Sequence, residues 1–566
     1  PVFGALLDCE KGGYFRLGPV EMVHGAQEYR ENSMTLETRW ELRTGGLALA
    51  DVMPWPKHDR PAADRDERVL IRHLRCSRGK VRCICDVDPA WLFQKPRGGV
   101  SASRDGYHWK IAKDVSLQLW CDGLDGLKTE GSRLFAEFEL AEGEELWMVL
   151  SAGGARTWTR EMARKANEET ERYWRDWSGR IQQDPPHGSR IRRAAMTVHL
   201  LTYAPEGSVL AAPTTSVPER IGGGWNADYR LCWMRDASLA LGMLARLGIE
   251  GDTEKYLQWL TRRCSAAERP LQVLYGLRGE RRPRQHQIPQ ASGYRDSQPV
   301  SFGNHAFKQH QLGSLGFLTD CIWLYARHGG PWREEYWQLV ERAADHTCDH
   351  WREPENGVWE LPEERHFVYS KVLSWVALDR ALKIAREVGP KSGLRPWERE
   401  RETIFREVMR KGWSERLGAF KQHYDAENLD AGVLLISVLE FLPGDHPRML
   451  QTLDRLLERL TIDGWVYRFD PKEVGDLGRW PMGQMEGSFL LCNFWMSTAL
   501  AKAGRRSEAE TILQRAEKHI GNLGLLPEGI DARDGTFLGN FPLLFSQVEY
   551  VRARLELDHS CPEPAP

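Results

Sequence analysis

The segment EGSFLLCNFWMSTALAKAGRRSEAETILQRAEKHI, residues 486 to 520, decides the fold. Apolar residues recur at helical spacing over 486–503 and again over 506–520, so the pattern predicts two helices. Only Gly504 and Arg505 separate them, and so short a link makes the two helices antiparallel neighbours. The segment is therefore one pair of packed helices.

The same pattern recurs through the chain after Ser189. It predicts twelve helices, at 189–204, 235–247, 252–266, 305–327, 332–351, 370–388, 396–414, 429–441, 446–459, 486–503, 506–520 and 543–556. The links alternate between short ones and long ones rich in glycine, proline and aromatic residues, so the long loops gather at one end. Six such pairs favour a closed (α/α)6 barrel over an open solenoid, which would need a fixed repeat length.

The chain before this region has a different pattern. From Tyr14 to Leu150, short alternating apolar and polar runs are separated by glycine, aspartate and proline, which is typical of an antiparallel β-sandwich. A helical period follows and ends at Pro185 and Pro186. We therefore predict an N-terminal antiparallel β-sandwich over 1–158, a helical linker over 159–187 and a C-terminal (α/α)6 helical barrel over 188–566.

Composition excludes several classes of function. The 77 basic and 80 acidic residues leave a net charge of -3, which does not favour a nucleic-acid partner, and no apolar stretch is long enough for a membrane helix. Because no nucleotide, zinc-protease or serine-hydrolase motif is present, we expect no metal and no cofactor. Without a visible signal peptide we expect a cytoplasmic location, and the chain is compatible with a monomer or a homo-oligomer.

The loop before the second helix combines aromatic and charged residues. Tyr229 and Trp233 offer flat faces for stacking on a sugar, and Arg235 and Asp236 offer hydrogen bonds to hydroxyl groups. An aspartate in the first turn of a helix also interacts favourably with the helix dipole. Taken alone, the loop therefore fits a sugar site and a plain helix start equally well.

Two glutamates lie in apolar stretches of other long loops. Glu360 follows Trp359, where a carboxyl group can lose water and serve as a general acid, and Glu528 lies between Pro527 and Gly529. Glycosidic bond cleavage requires two carboxyl groups at one cleft, one to protonate the departing oxygen and one to activate water or attack carbon. Glu360 also fits a simpler role as a loop carboxylate that caps a backbone amide.

Several strings together resemble a known family. They are AAPTTSVPERIGG (211–223), DYRLCWMRDASLAL (228–241), LQVLYGLRGE (271–280), NGVWE (356–360), YSKVLSWVALDRA (369–381), EGSFLLCNFW (486–495) and LPEGIDARDGTFLGNFP (526–542). In this order, over nearly all of 188–556, they are similar to the bacterial trehalase and glucoamylase-like members of glycoside hydrolase family 15. The resemblance implies a β-sandwich followed by an (α/α)6 barrel, an inverting mechanism and release of a terminal α-linked glucose. It also implies that the chain starts inside the family's sandwich.

The resemblance further implies roles for single residues. Glu360 corresponds to the general acid and Glu528 to the general base. Arg235 and Asp236 correspond to the pair that holds the non-reducing-end glucose. The other positions implied to bind substrate are Tyr229, Trp233, Trp359 and Arg468.

Some positions depart from the family's usual pattern. Trp225 to Arg230 reads WNADYR instead of RNWDYR, Gly529 replaces a second acidic residue, and Gly313 and Phe317 stand where acids are usual. Since the two glutamates are kept while polar neighbours change, we expect hydrolysis with altered recognition of the leaving group. Trehalose, malto-type, isomalto-type and kojibiose-type α-glucosides remain open as substrates. Outside the enzyme class, the alternatives are a non-catalytic carbohydrate-binding protein and a helical interaction scaffold.

Overall fold

The computed structural model describes residues 2–55, 68–96, 98–153, 156–181, 187–265, 271–389, 392–473, 477 and 481–558. The chain divides into two compact units. The first unit contains Pro1–Arg180 and Ile288–Arg295, and the second contains Ile181–Gln287 and Asp296–Pro566. Pro185 and Pro186, on which the predicted domain boundary depended, lie outside the described residues.

The first unit is built on antiparallel strands. They are β1 (Tyr14–Pro19), β2 (Ala26–Tyr29), β3 (Leu36–Glu41), β4 (Gly45–Val52), β5 (Arg68–Asp88), β6 (Val100–Ser103), β7 (Gly106–Ala112), β8 (Val115–Asp122), β9 (Lys128–Glu130), β10 (Arg133–Ala141) and β11 (Glu145–Ala152). The first half of β5 pairs with β4 and β11, and its second half pairs with β1 and β10. One long strand thus belongs to a sheet ordered β2-β3-β4-β5-β11-β8-β7-β6 and also to a smaller sheet with β1, β10 and β9.

Alternation along β11 shows how the layers form. Leu146, Met148 and Leu150 point into a core that draws residues from both sheets. Trp147 and Val149 point to the opposite face, because successive strand side chains alternate. There they pack against α1 (Arg160–Ser178), the helix that we predicted as a linker. The predicted β-sandwich is confirmed, and α1 covers its larger sheet.

The second unit contains twelve helices within the described ranges. They are α2 (Gly188–Leu201), α3 (Met234–Arg246), α4 (Gly251–Ser265), α5 (Gly313–Arg327), α6 (Glu334–His350), α7 (Val368–Glu387), α8 (Arg395–Lys411), α9 (Leu435–Val438), α10 (Pro447–Arg459), α11 (Leu490–Lys502), α12 (Arg506–Ile520) and α13 (Leu544–Asp558). Helices α3, α5, α7, α9, α11 and α13 contact one another in this order, and α13 also contacts α3. This closed inner ring confirms the barrel and excludes the open solenoid.

The helix pair of residues 486–520 shows why one helix lies inside and its partner outside. Helix α11 buries every residue from Leu490 to Leu500, as expected for a helix surrounded by others. Helix α12 buries only a stripe, formed by Ala509, Ile512, Leu513, Ala516 and Ile520. In this pair, the inner helix is therefore buried on all sides, and the amphipathic outer helix covers it with one face.

Two predicted helices are wrong in extent. The predicted helix 305–327 is a short 3-10 turn, His305–Lys308, followed by a non-helical link before α5. This link is held by a distant loop, since His310 N donates to Asn356 Oδ1 and Leu312 N donates to Glu355 Oε2. The predicted helix 429–441 is shortened to a 3-10 turn, Ala431–Leu434, and the single turn α9.

Short strand pairs shape the long loops that precede the inner helices. They are Thr202–Tyr203 with Ser208–Val209, Cys232–Trp233 with Leu274–Tyr275, His286–Gln287 with Ser301–Phe302, Trp413–Ser414 with Ala419–Phe420, Thr461–Ile462 with Trp465–Val466, and Ser488–Phe489 with Gly529–Ile530 and Phe537–Leu538. In the last set, Gly529–Ile530 pairs with Ser488–Phe489 on one side and with Phe537–Leu538 on the other, which brings the loop of Glu528 to the start of α11. Loops far apart in sequence are thus fixed to one end of the barrel.

Candidate active site

A cavity of about 380 Å³ lies at the end of the barrel where the inner helices begin. This volume is within the range of about 300 to 1,000 Å³ typical of small-molecule sites. Side chains of four inner helices, Leu239, Phe317, Trp495 and Phe545, line it together with the long loops. All eight predicted site residues also line it, namely Tyr229, Trp233, Arg235, Asp236, Trp359, Glu360, Arg468 and Glu528.

Arg235 and Asp236 form an ion pair in the first turn of α3. Arg235 Nε donates to Asp236 Oδ2 at 3.0 Å, and Arg235 Nη1 donates to the Val358 carbonyl at 3.1 Å. The side chains are 11% and 2% exposed, so neither residue is part of the outer surface. Burial raises the pKa of Asp236, and the charge of Arg235 opposes this shift. A buried pair of this kind presents fixed hydrogen-bonding groups to the cavity.

Glu360 opens onto the cavity from a constrained loop. Its φ of 57° lies in the left-handed region, which costs a non-glycine residue free energy and is frequent at functional sites. Trp233 Nε1 donates to Glu360 Oε1 at 2.8 Å, and Arg235 Nη2 lies 3.5 Å from the same oxygen. The side chain of Glu360 is 25% exposed and faces the cavity. The sequence predicted instead that the apolar loop would shield this carboxyl group from water.

A buried glutamate holds the loop that carries Glu360. Glu355 accepts hydrogen bonds from Leu312 N at 3.1 Å, from Gly357 N at 2.8 Å and from the Ser370 hydroxyl. Burial raises the pKa of Glu355 to about 7, although these donors oppose the shift. The loop is thereby attached to the starts of both α5 and α7.

Glu528 is almost fully buried, with 1% of its surface exposed. Tyr229 Oη donates to Glu528 Oε1 at 2.5 Å, and Asn540 N donates to Oε2 at 3.2 Å. Burial raises the pKa of Glu528 to about 7, while the Tyr229 hydroxyl and Arg468 oppose the increase. Gly539 lies directly against the carboxylate, since a Cβ built there would be 2.3 Å from Glu528 Oε2.

Tyr229 and Trp233 connect the two glutamates. Their ring centroids are 5.4 Å apart, and each residue donates to one of the carboxylates. Both donors come from the short stretch that leads into α3. The aromatic pair therefore orients Glu360 and Glu528 within the same cavity, although the two glutamates are distant in sequence.

Arg468 and Trp359 form another wall. Arg468 Nε donates to Glu486 Oε1 at 2.9 Å, and its guanidinium lies 4.0 Å from the centroid of the Phe489 ring. Trp359 Nε1 donates to both oxygens of Asp430, at 2.9 and 3.0 Å. These contacts fix the Trp359 indole beside the Arg468 guanidinium, 5.5 Å away.

Sequence reasoning missed Glu219, which also lines the cavity. Its Oε2 lies 3.4 Å from Arg468 Nη2, and its side chain is 13% exposed. Burial raises the pKa of Glu219 well above its usual range, Glu528 adds to this shift and Arg468 opposes it. The segment SVPERIGG contains no spacing that would have identified it, because its partners lie in distant loops.

Neither a metal centre nor a membrane segment is found in the described part of the chain. Across these ranges, no three His, Cys, Asp or Glu side chains come together as metal ligands. None of the helices described above is both long and apolar enough to cross a membrane.

Comparisons with known proteins agree on one family and one fold. The sequence profile of glycosyl hydrolases family 15 matches residues 186–510 and 506–555. A trehalase from Mycolicibacterium smegmatis is 34% identical over 598 residues, which cover 99% of this chain and 87% of that protein. A trehalase from Thermoplasma acidophilum is 28% identical over 569 residues, covering 99% and 95%. The solved structure of a bacterial glucoamylase complexed with acarbose has the same fold, with a TM-score of 0.66, 13% identity and coverage of 98% and 86%.

Proposed function

The chain belongs to glycosyl hydrolases family 15, and on this basis we propose that it is an inverting, exo-acting hydrolase of α-linked glucose. The substrate is a disaccharide or short oligosaccharide, from which one terminal glucose is released. The observation that carries the proposal is the arrangement of Glu360 and Glu528, which open onto one cavity and are oriented by the Tyr229–Trp233 pair.

The two glutamates divide the chemistry. Glu360, as the acid, gives its proton to the glycosidic oxygen as the bond to the anomeric carbon breaks. Glu528, as the base, takes a proton from the water whose oxygen attacks that carbon from the opposite face. The Tyr229 hydroxyl and Asn540 N–H stabilise the ionised form of Glu528 that this step requires. Proton exchange with solvent returns both groups to their starting forms.

The shape of the cavity supports exo action. Leu239, Phe317, Trp495 and Phe545 come from the inner helices and line the barrel side of the cavity. We therefore expect a saccharide to enter from the side of the long loops with its terminal glucose first. Arg235 and Asp236 would bind hydroxyl groups of the first glucose, and Trp359 would stack on its ring, with Arg468 beside it.

Trehalose is the first substrate to test, because relatives aligned over nearly the whole chain are named trehalases. A second candidate is another α-glucoside of the malto-, isomalto- or kojibiose-type. It is favoured by Trp225 and Ala227, which both line the cavity and depart from the usual family sequence. Such changes affect the leaving group more than the bond that is cleaved.

The decisive experiment measures hydrolysis of trehalose, maltose, isomaltose and kojibiose, with NMR following the anomer that is released first. We expect the glucosyl unit whose bond is cleaved to appear as β-glucose, so trehalose should give α- and β-glucose in equal amounts. Glu360→Gln and Glu528→Gln should each lower kcat by at least about 10²-fold. Glu363→Gln is the matched control, since Glu363 lies in the loop of Glu360 but is 57% exposed. Release of the cleaved glucosyl unit as α-glucose, which from trehalose would give α-glucose alone, or full activity of either glutamine variant, would overturn the mechanism.

A further inference from the structure

Trp225 is an exposed tryptophan beside the cavity. It has 44% of its surface exposed, yet its indole is part of the cavity wall. Leaving a large apolar ring in water forgoes the free energy that its burial would give. Its place in the wall of a sugar-sized cavity, and not its exposure alone, points to a ligand that covers it.

The backbone around Trp225 is firmly held. The neighbouring Asn226 is 5% exposed, and its Nδ2 donates to the carbonyls of Gly223 at 3.2 Å, Ser297 at 3.2 Å and Pro299 at 3.3 Å. Gly222 N donates to Ser297 Oγ at 2.9 Å. Because these bonds anchor the loop on both sides of the ring, stacking on Trp225 requires little ordering of the chain.

Exposure increases from the barrel side of the cavity to Trp225. Asp236 is 2% exposed, Glu360 is 25% exposed and Trp225 is 44% exposed. Among these cavity-lining residues, the ion pair of α3 is thus the most shielded from solvent and Trp225 is the most accessible. If the first glucose binds at the ion pair, the sugar beyond the cleaved bond lies toward solvent, on the side where we place Trp225.

We propose that Trp225 is the stacking surface for the leaving-group sugar and determines which leaving groups are accepted. This role rests on the proposed hydrolase function. The indole face packs against the C–H face of a pyranose without hydrogen bonds to its hydroxyl groups. It therefore accepts sugars that are joined through different hydroxyl groups. Ala227, which also lines the cavity, adds only a methyl group and leaves room for these orientations.

The test compares two substrates that differ only in the leaving group. One is the disaccharide that the wild-type protein cleaves fastest, and the other is α-glucosyl fluoride, whose leaving group is a fluoride ion. Trp225→Ala should lower kcat/KM for the disaccharide about three- to tenfold, the effect of losing one aromatic contact, and leave kcat/KM for the fluoride unchanged. Trp225→Phe should restore part of the loss.

Ile221→Ala is the matched control, because Ile221 is a 37% exposed residue of the same loop and is not among the cavity-lining residues. It should leave both substrates unaffected. An equal loss on both substrates in Trp225→Ala, or no loss on either, would overturn the role of Trp225. If the wild-type protein cleaves neither substrate, the hydrolase function itself fails, which is a different result from failure of the Trp225 variants.

Discussion

Replacing Gly539 by alanine should displace the Glu528 carboxylate, although no ionisable residue is itself replaced. Gly539 has a φ of 73°, and its backbone lies against the Glu528 carboxylate. The added Cβ would be 2.3 Å from Oε2, whereas Cβ contacts below 3.0 Å are essentially never seen. The carboxylate must therefore move by about 0.7 Å or more.

The size of the effect follows from this displacement. Moving a reacting group by about 1 Å costs roughly 10²-fold in rate, so we expect kcat of Gly539→Ala to fall about 30- to 100-fold. A residue with a Cβ also pays about 1 to 2 kcal/mol for the left-handed backbone conformation. The variant should therefore be both less active and less stable.

A second glycine separates these two effects. Gly504, between α11 and α12, has a φ of 78°, and a Cβ there would meet nothing within 4 Å. Gly504→Ala should show the same backbone cost as Gly539→Ala in thermal unfolding, with wild-type kcat. Steady-state kinetics and calorimetry on both variants give the comparison. Wild-type kcat in Gly539→Ala would refute the reasoning, since the position of the Glu528 carboxylate would then not limit the reaction.

Three further predictions concern hydrogen bonds and protons at the site. Tyr229→Phe removes a donor that lowers the pKa of Glu528, so this pKa should rise above about 7. The acid limb of the pH–kcat profile should then move to higher pH. An unmoved limb would contradict the role of Glu528 as the base. Glu219→Gln mimics the protonated carboxyl group that burial favours at Glu219, so kcat near neutral pH should stay within about threefold of the wild-type value. A loss of about 10²-fold would show instead that the reaction requires the ionised form of Glu219. Glu355→Ala leaves three donors without their acceptor and should lower the free energy of unfolding by about 3 kcal/mol or more, seen as a lower thermal midpoint; an unchanged midpoint would mean that water replaces the carboxylate.

The architecture was readable from the sequence because it depends on local periodicity. The contrast between α11 and α12 is a contrast of apolar patterns over one helix each, and short links fix their pairing. The start of α5 was not readable, because the backbone N–H groups of His310 and Leu312 are bound by Asn356 and Glu355 in a distant loop. Helical propensity near residue 305 says nothing about those partners.

The same distinction applies to the site. The eight candidate residues were found through motifs, and all of them line one cavity. Glu219 was missed because it is defined by Arg468 and Glu528, which meet it only after folding. Trp225 appeared in the sequence as a departure from a pattern, but its exposure at the cavity edge and the anchoring of its loop by Asn226 are properties of the fold.

The paired attachment of Glu360 and Glu528 to Tyr229 and Trp233 has a consequence for adapting this scaffold. A five-residue span at the entrance to α3 donates to both reactive carboxylates, in addition to the contacts that hold their own loops. Cavity-lining residues that belong to neither of those loops, such as Gln285, can then be exchanged to admit bulkier glucosides with the two carboxylates left in place. Redesign of selectivity should start at the opening and keep residues 229–233 intact.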